Sequence, residues 1–276
     1  MLEWLKSTSG KRVTVQSGSR VRIPVSPHST NQYAAAPETV RQFPFIGIDP
    51  EKPYNCNMKK IILLALLAMV TISVSAQTKK VSVLGDSYST FKDYNPEGYA
   101  PFYPDANNDV TEVGQTWWSL YIEAKGYQLE QNNSWGGTTI CNTGYFGMDS
   151  SRSSFTSRMD LLGHPDIIFV FGGTNDAWAK SPVGEYKYDN LTPEDCKTFR
   201  AAYAYLLENL KKKYPDAQIY SIQNSELAEE YNESSREVCA HYGIQLIELH
   251  DIDKQNGHPS IAGMQSICDQ LLEAIK

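Results

Sequence analysis

One serine and one histidine of this sequence stand where covalent chemistry is possible. Ser87 closes a Gly-Asp-Ser segment that follows a short apolar run, and His258 opens a His-Pro-Ser segment near the C-terminus. A serine hydroxyl is a weak nucleophile that becomes reactive when a base lies within hydrogen-bond reach. His258 lies in a loop between a predicted strand and the last predicted helix. The two residue types therefore indicate nucleophilic attack by Ser87 on a carbonyl, with His258 as the base.

Two further segments are rich in glycine and polar residues. The first reads NNSWGGTT over 132–139, and the second reads GGTND over 172–176. Asn175 in the second segment carries a side-chain amide and could cap a helix. We interpret the neighbouring Asp176 as a helix cap and Asp86 as an acceptor for loop amides, so neither carboxylate is assigned to the chemistry.

The elements that must position these segments alternate between strand and helix patterns. Apolar, β-rich runs predict strands, and the unbroken run over 166–171 is typical of a strand buried on both faces. Predicted strands cover 81–85, 128–132, 166–171, 218–222 and 244–249, and predicted helices cover 115–124, 154–162, 192–214, 228–242 and 260–275. This order predicts a three-layer α/β/α fold with a central parallel sheet. All four polar segments then lie near the carboxyl edge of that sheet, where such folds bind ligands.

Four blocks in this order resemble the SGNH (GDSL-like) hydrolase family, which has a flavodoxin-like fold. Gly85-Asp86-Ser87 resembles its nucleophile block, Asn132 with Gly137 resembles its second block, and the segment 173–176 resembles its Gly-x-Asn-Asp block. The His258-Pro259 pair resembles its histidine block. The resemblance implies an esterase with Ser87 as nucleophile and His258 as base. It also implies an oxyanion hole built from the backbone N–H groups of Ser87 and Gly137 and the side-chain amide of Asn175.

The chain departs from the family at the acid that normally accompanies the histidine. Family members usually carry Asp three residues before the histidine, and here that residue is Gln255. Asp253, five residues before His258, is one alternative for the third catalytic residue. The side-chain carbonyl of Gln255 and a backbone carbonyl are the others, and either would leave a serine–histidine dyad. Without a carboxylate we expect slower turnover, because the acid of a triad stabilises the imidazolium and fixes the tautomer.

Aromatic residues close to the polar segments suggest a sugar substrate. Trp135 lies within the second segment and Trp178 follows the third, so either ring could form a platform for a sugar. Trp117 and Trp118 lie in a predicted helix and fit the core instead. We see no long apolar lid of the kind that would suit a lipase. The sequence therefore favours an acetyl ester on a carbohydrate as the substrate.

The charge and the cysteines exclude some other functions. The full chain has 32 Asp and Glu against 25 Lys and Arg, a formal net charge of −7. Proteins that bind nucleic acids neutralise phosphates with basic side chains, so we expect no nucleic-acid partner. Four cysteines follow residue 77 at spacings that match no zinc site, and their pairing is open: Cys141, Cys196, Cys239 and Cys268. No metal or organic cofactor is implied, and the oligomeric state is open.

A signal peptide is predicted over residues 58–76. Lys59 and Lys60 form its basic start, residues 61–74 its apolar stretch, and Val74-Ser75-Ala76 a small-residue cleavage site. No cysteine follows Ala76 directly, so we expect no lipid anchor. We interpret residues 1–57 as a spurious or disordered leader, with translation from Met58. The expected product is a single domain over 77–276, exported to the periplasm or the exterior of a bacterial cell.

Three functions are consistent with these observations. The first is a secreted serine esterase that removes acetyl groups from carbohydrate. The second is a lipid or thioester hydrolase of the same fold, which a preference for long acyl chains would distinguish. The third is a glycan-binding protein that has lost activity, suggested by Gln255 in place of the acid, although Ser87 and His258 are both retained.

Overall fold

The computed structural model describes residues 78–276, so the predicted leader and signal peptide lie outside the described residues. Five strands form one parallel sheet: β1 (Lys80–Gly85), β2 (Gln128–Ser134), β3 (Ile167–Phe171), β4 (Gln218–Gln223) and β5 (Gln245–Glu248). The strand order is β2-β1-β3-β4-β5, which is the flavodoxin-like order. Two short antiparallel strands follow, β6 (Lys254–Gln255) and β7 (His258–Pro259).

Six α-helices accompany the strands in the described part of the chain. They are α1 (Trp117–Lys125), α2 (Phe155–Arg158), α3 (Thr174–Ala179), α4 (Phe199–Lys213), α5 (Glu229–Tyr242) and α6 (Ile261–Ala274). Short 3-10 turns cover Ser87–Ser89, Val113–Gln115, Tyr145–Gly147 and Pro193–Lys197. The predicted three-layer α/β/α architecture is confirmed.

The core lies on both faces of the sheet. Alternate residues of β3 point to opposite faces, and all five are buried. Phe169 and Phe171 pack with Trp117 of α1 and Ile267 of α6 on one face. On the other face, Val170 belongs to a cluster built with residues of α2, α4 and α5. Burial on both faces explains why β3 is a continuous apolar run in the sequence.

Some elements differ from their predicted bounds. The helix predicted over 192–214 is interrupted at Thr198, whose φ of −120° and ψ of 151° are extended, so a 3-10 turn precedes α4. The N–H of Phe199 donates to the carbonyl of Pro182 at 2.8 Å, and this tertiary contact anchors the start of α4. The helix predicted over 154–162 is limited to Phe155–Arg158. Helix α3 is the helix implied by the predicted cap at Asp176, although its bounds were not predicted. The β6–β7 hairpin was not predicted.

Candidate active site

Ser87 is held at the carboxyl end of β1 by a tight turn. Asp86 caps the 3-10 turn by accepting a hydrogen bond from the N–H of Tyr88 at 3.0 Å. Gly85 is required before it, because a Cβ there would lie 2.6 Å from the Oγ of Ser134. Ser87 therefore lies in the loop that directly follows β1, as the sequence predicts.

His258 reaches Ser87 from a two-residue hairpin. Gln255 of β6 pairs with His258 of β7, and Asn256 and Gly257 between them have φ values of 51° and 73°. Two positive φ values in sequence define a type I′ turn, for which Asn-Gly is the preferred pair. The Nε2 of His258 lies 2.9 Å from the Oγ of Ser87. The structure therefore brings the predicted nucleophile and base into hydrogen-bond contact.

The partner of the other ring nitrogen is a backbone carbonyl. The Nδ1 of His258 lies 3.1 Å from the carbonyl oxygen of Asn256. A carbonyl only accepts, so Nδ1 carries the proton and the lone pair of Nε2 is left to accept the hydroxyl proton of Ser87. The same turn that presents the imidazole thus sets its tautomer.

Neither side chain considered for the missing acid contacts the imidazole. The carboxylate of Asp253 accepts a hydrogen bond from the hydroxyl of Ser260, the residue that caps α6. The side chain of Gln255 is paired with Asp109, through its Oε1 to the N–H at 2.9 Å and its Nε2 to the carboxylate at 3.0 Å. Of the three alternatives, the geometry favours the backbone carbonyl, and the assignment of Asp253 to the catalytic residues is not supported by its position.

Aromatic rings enclose the imidazole. The ring of Phe102 stacks on His258 with centroids 3.5 Å apart and planes 7° from parallel, and Trp178 meets it edge-on at 6.3 Å. Tyr103 and Asn108 hold the hairpin itself, with the Tyr103 hydroxyl donating to the carbonyl of Pro259 at 2.8 Å. Burial lowers the pKa of His258 below its ordinary value of 6.5. The ring is therefore neutral, as a base must be, at neutral pH.

The three predicted oxyanion donors lie in neighbouring segments. Among the described residues, neither the N–H of Ser87 nor that of Gly137 donates to a protein acceptor. Gly137 has a φ of +78°, a conformation that favours glycine, and a Cβ on Gly136 would lie 3.8 Å from the Cβ of Ser87. The Nδ2 of Asn175 donates to the carbonyl of Thr138 at 3.0 Å, which places its amide beside the same loop.

The buried side chain of Arg158 makes hydrogen bonds to the ends of β1 and β2 and to the loop that contains Gly137. Arg158 is 1% exposed and donates to the carbonyl of Gly85 at 3.2 Å, to the Oδ1 of Asn133 at 2.9 Å and to the Oγ1 of Thr138 at 3.0 Å. Burial lowers the pKa of Arg158 to about 10, so the side chain stays charged at neutral pH. Arg158 is not recognisable as a site residue from the sequence, because its partners are mostly backbone oxygens and polar groups distant in sequence.

The two buried aspartates have structural contacts. Asp176 accepts the N–H of Ile140 at 2.8 Å and that of Cys141 at 3.1 Å, so it fixes the loop after β2 instead of capping its own helix. Burial raises the pKa of Asp176 to about 6 and that of Asp86 to about 7. Both positions agree with the predicted structural role, although the partners of Asp176 differ from those of a helix cap.

The tryptophans considered as platforms for a sugar ring differ in exposure and in contacts. Trp178 is 47% exposed beside His258 and can contact a bound substrate. Trp135 is half-buried and stacks on Tyr99 with centroids 4.2 Å apart. Trp117 and Trp118 are buried in the core, as the sequence predicts. Trp178 is therefore the better placed of the two candidates.

A strand-end serine paired with a hairpin histidine in a parallel α/β/α fold defines a hydrolase of the SGNH type, and similarity to known proteins agrees. Residues 79–275 match the family model described as GDSL-like Lipase/Acylhydrolase. A GDSL-like lipase candidate from Bacteroides ovatus, known from a crystal structure, is 53% identical, with a TM-score of 0.71, and the match covers 72% of this chain and 98% of that chain. A second candidate from Bacteroides uniformis is 54% identical over 72% of this chain and 95% of that chain, with a TM-score of 0.70.

A more distant structure, of a carbohydrate esterase, shares the fold at 18% identity and a TM-score of 0.53, covering 71% of this chain and 68% of that one. No curated protein matches the chain. The chain belongs to the GDSL-like lipase/acylhydrolase family and is an ester-hydrolysing enzyme. The predicted family and enzyme class are confirmed.

Three further observations concern the described residues alone. None of the helices in 78–276 has the length and apolar character needed to cross a membrane. The same part of the chain contains no cluster of side chains suited to a metal ion. Its four cysteines are buried and unpaired.

Proposed function

We propose that the protein is an exported serine esterase that removes acyl groups, acetyl above all, from carbohydrate. The observation that carries the proposal is the 2.9 Å contact between the Oγ of Ser87 and the Nε2 of His258. That distance lies within the range over which a base accepts the proton of an attacking hydroxyl. The Nδ1 of the same imidazole directs its proton at the carbonyl of Asn256. The imidazole is therefore in the tautomer that a base requires.

The reaction proceeds in two halves. Ser87 attacks the ester carbonyl while its proton moves to Nε2 of His258, and the oxyanion is stabilised by the donors of Ser87, Gly137 and Asn175. The protonated imidazole then donates to the leaving alcohol, and the acyl group remains on Ser87. A water molecule attacks this acyl-enzyme, His258 accepts its proton, and the acid leaves as Ser87 regains its proton.

The base works here without a carboxylate partner. The carbonyl of Asn256 stabilises the imidazolium by its dipole, which is weaker than a full negative charge. The flat stack on Phe102 limits rotation of the ring, so orientation does not depend on a carboxylate. A serine–histidine dyad of this kind supports ester hydrolysis, where the leaving group is better than that of an amide.

The choice of a carbohydrate substrate is supported by one exposed aromatic ring and by the predicted signal peptide. Trp178 is 47% exposed and lies 6.3 Å from the imidazole, where a sugar ring bearing the ester could stack. The protein that shares the fold at 18% identity is described as a carbohydrate esterase. The alternative is a lipid or thioester substrate of longer chain.

Hydrolysis of aryl esters by residues 77–276 tests the proposal. Wild type, Ser87→Ala and His258→Ala are compared on acetate, butyrate and octanoate esters, followed by acetylated oligosaccharides. We expect the acetate rate to be highest and to vanish in Ser87→Ala. A rate that rises with chain length would favour the lipid or thioester alternative. Glycan binding without hydrolysis in any variant would favour a binding protein.

Trp178→Ala tests the carbohydrate assignment separately. We expect a higher KM on acetylated oligosaccharides with little change on aryl acetate, because a small aryl ester needs no sugar platform. Trp135→Ala is the matched control, since that ring is stacked on Tyr99. Equal effects of the two substitutions on both substrates would exclude Trp178 as a specific platform.

A further inference from the structure

The turn that follows the second polar segment places a tyrosine against the predicted oxyanion donor. Tyr145 begins the 3-10 turn Tyr145–Gly147, and its hydroxyl donates to the Oδ1 of Asn175 at 2.7 Å. Asn175 is 3% exposed and lies in the first turn of α3. This contact is absent from the mechanism above, in which Asn175 acts through its Nδ2 alone.

The amide of Asn175 is fixed from both ends. Its Oδ1 accepts from Tyr145, and one hydrogen of its Nδ2 is donated to the carbonyl of Thr138 at 3.0 Å. An amide nitrogen carries two hydrogens, so one remains for the substrate oxyanion. Rotating the amide by half a turn would set its oxygen against the Thr138 carbonyl, which repels it. The tyrosine and the carbonyl together therefore select one orientation of the side chain.

The hydroxyl of Tyr145 is a dependable donor. The amide oxygen can only accept, so the proton lies between the two oxygens. Burial, together with the nearby charges of Asp86 and Asp176, raises the pKa of Tyr145 to about 12. The hydroxyl therefore keeps its proton over the working range of an esterase. A hydrogen bond to the amide oxygen also draws electron density from the nitrogen, which makes the remaining N–H a stronger donor.

The backbone of the turn is strained at the next residue. Phe146 has a φ of +59°, which a bulky side chain rarely adopts, and its ring is 96% exposed. The turn is closed by the N–H of Gly144, which donates to the carbonyl of Met148 at 2.8 Å. Burial of the Phe146 ring cannot offset the strain. The conformation is held by backbone hydrogen bonds of the turn and by the inward contact of Tyr145 with Asn175.

We propose that Tyr145 is a positioning residue that orients and polarises the side-chain amide of Asn175 for the oxyanion of the reaction. The inference rests on the proposed serine esterase function and assigns a further residue to it. Among the described residues the Tyr145 hydroxyl donates to Asn175 and contacts neither Ser87 nor His258, so its effect on the reaction passes through Asn175.

A double-mutant cycle on aryl acetate tests this dependence. Loss of an oxyanion donor costs about 100- to 1000-fold in rate, so we expect such a loss for Asn175→Ala. For Tyr145→Phe we expect kcat to fall about tenfold with KM within about twofold, as befits one neutral hydrogen bond acting in the transition state. In the Asn175→Ala background, Tyr145→Phe should cost nothing further. Equal losses in both backgrounds would overturn the proposal.

Two measurements distinguish a positioning role of Tyr145 from a general effect on stability. They also distinguish failure of this proposal from failure of the proposed esterase function. Tyr214→Phe is the matched control, because its hydroxyl also donates to a carbonyl, that of Met159 at 3.2 Å, away from Asn175. It should leave kcat unchanged. The side-chain NH2 resonances of Asn175 in ¹⁵N-labelled protein should shift in Tyr145→Phe and stay in place in Tyr214→Phe. This NMR result stands even if the wild type hydrolyses no ester, and unchanged resonances in Tyr145→Phe would refute the contact.

Discussion

Replacement of Asp253 by Asn separates a dyad from a triad. Asp253 is the acid that the sequence leaves open as a partner of His258, and its carboxylate contacts the hydroxyl of Ser260 in the structure. Asn keeps the shape of the side chain and removes its charge. If Asp253 served the imidazole, this change would remove the stabilisation of the imidazolium. With the carbonyl of Asn256 at 3.1 Å from Nδ1, it should leave the chemistry intact.

The dyad and the triad predict values of kcat for Asp253→Asn that differ by orders of magnitude. Replacing the acid of a serine triad by its amide lowers kcat by about 10⁴, or about 5.5 kcal/mol. For Asp253→Asn we expect kcat on aryl acetate within about threefold of the wild type. Stability should fall by about 1 kcal/mol, because a charged hydrogen bond to Ser260 becomes a neutral one. For a domain of this size that corresponds to a fall of about 2–4 °C in Tm.

Steady-state kinetics and thermal unfolding on the same preparations measure both effects. Asp251→Asn is the matched control, since it removes the same charge from the same loop at a carboxylate that contacts only the exposed His250. It should change neither kcat nor Tm. A fall in kcat of a hundredfold or more in Asp253→Asn, with Asp251→Asn normal, would refute the dyad and restore Asp253 to the catalytic residues.

Three further predictions concern the same hairpin. Gln255→Glu should lower stability by about 1 kcal/mol in denaturant unfolding without raising kcat, because it sets a carboxylate against that of Asp109 in place of an amide donor at 3.0 Å. The acidic limb of kcat/KM against pH should lie below pH 6.5, because burial lowers the pKa of His258 and only its neutral form accepts the serine proton. Phe102→Leu should lower kcat up to about tenfold in steady-state assays, since the stacked ring contributes about 0.5–1.5 kcal/mol.

Each of these outcomes has a clear opposite. A tenfold gain of activity in Gln255→Glu would mean that residue 255 turns towards His258 and supplies the missing acid. An acidic limb above pH 6.5 would indicate a negative charge beside the imidazole. Unchanged kcat in Phe102→Leu would mean that the hydrogen bond to the Asn256 carbonyl alone orients the His258 imidazole.

The strands were predictable because burial of a strand requires apolar residues along it. The run over 166–171 is apolar at every position from 167, as a central parallel strand must be, and the glycine-rich segments mark where strands end. The break at Thr198 was not predictable in the same way. The residues around it have helical propensity, and a contact with Pro182 from a distant loop overrides it.

The hairpin that holds His258 is marked in the sequence by a two-residue turn pattern. Asn256-Gly257 is the strongest short pattern for a type I′ turn, and it predicts that Gln255 and His258 pair across the turn. Two-residue strands are too short to show alternation, so periodicity could not reveal them. The same turn supplies the partner of Nδ1, which is the carbonyl of Asn256.

The neighbours of the site could be found only in three dimensions. Phe102 belongs to the aromatic stretch YAPFYP over 99–104, and nothing local distinguishes it as the ring that stacks on His258. Arg158 and Tyr145 contact the site through backbone carbonyls or amide oxygens, which every sequence contains. Residue types predicted the nucleophile and the base, the resemblance to the family implied the oxyanion donors, and tertiary structure supplies the groups that position them.

Covalent labelling of the nucleophile tests directly whether His258 activates Ser87. Purified protein is treated with diisopropyl fluorophosphate, and the modified residue is located by peptide mass spectrometry. We expect one adduct, on Ser87, which is absent in Ser87→Ala and forms much more slowly in His258→Ala. An adduct on another residue, or labelling of Ser87 that is as fast without His258, would contradict it.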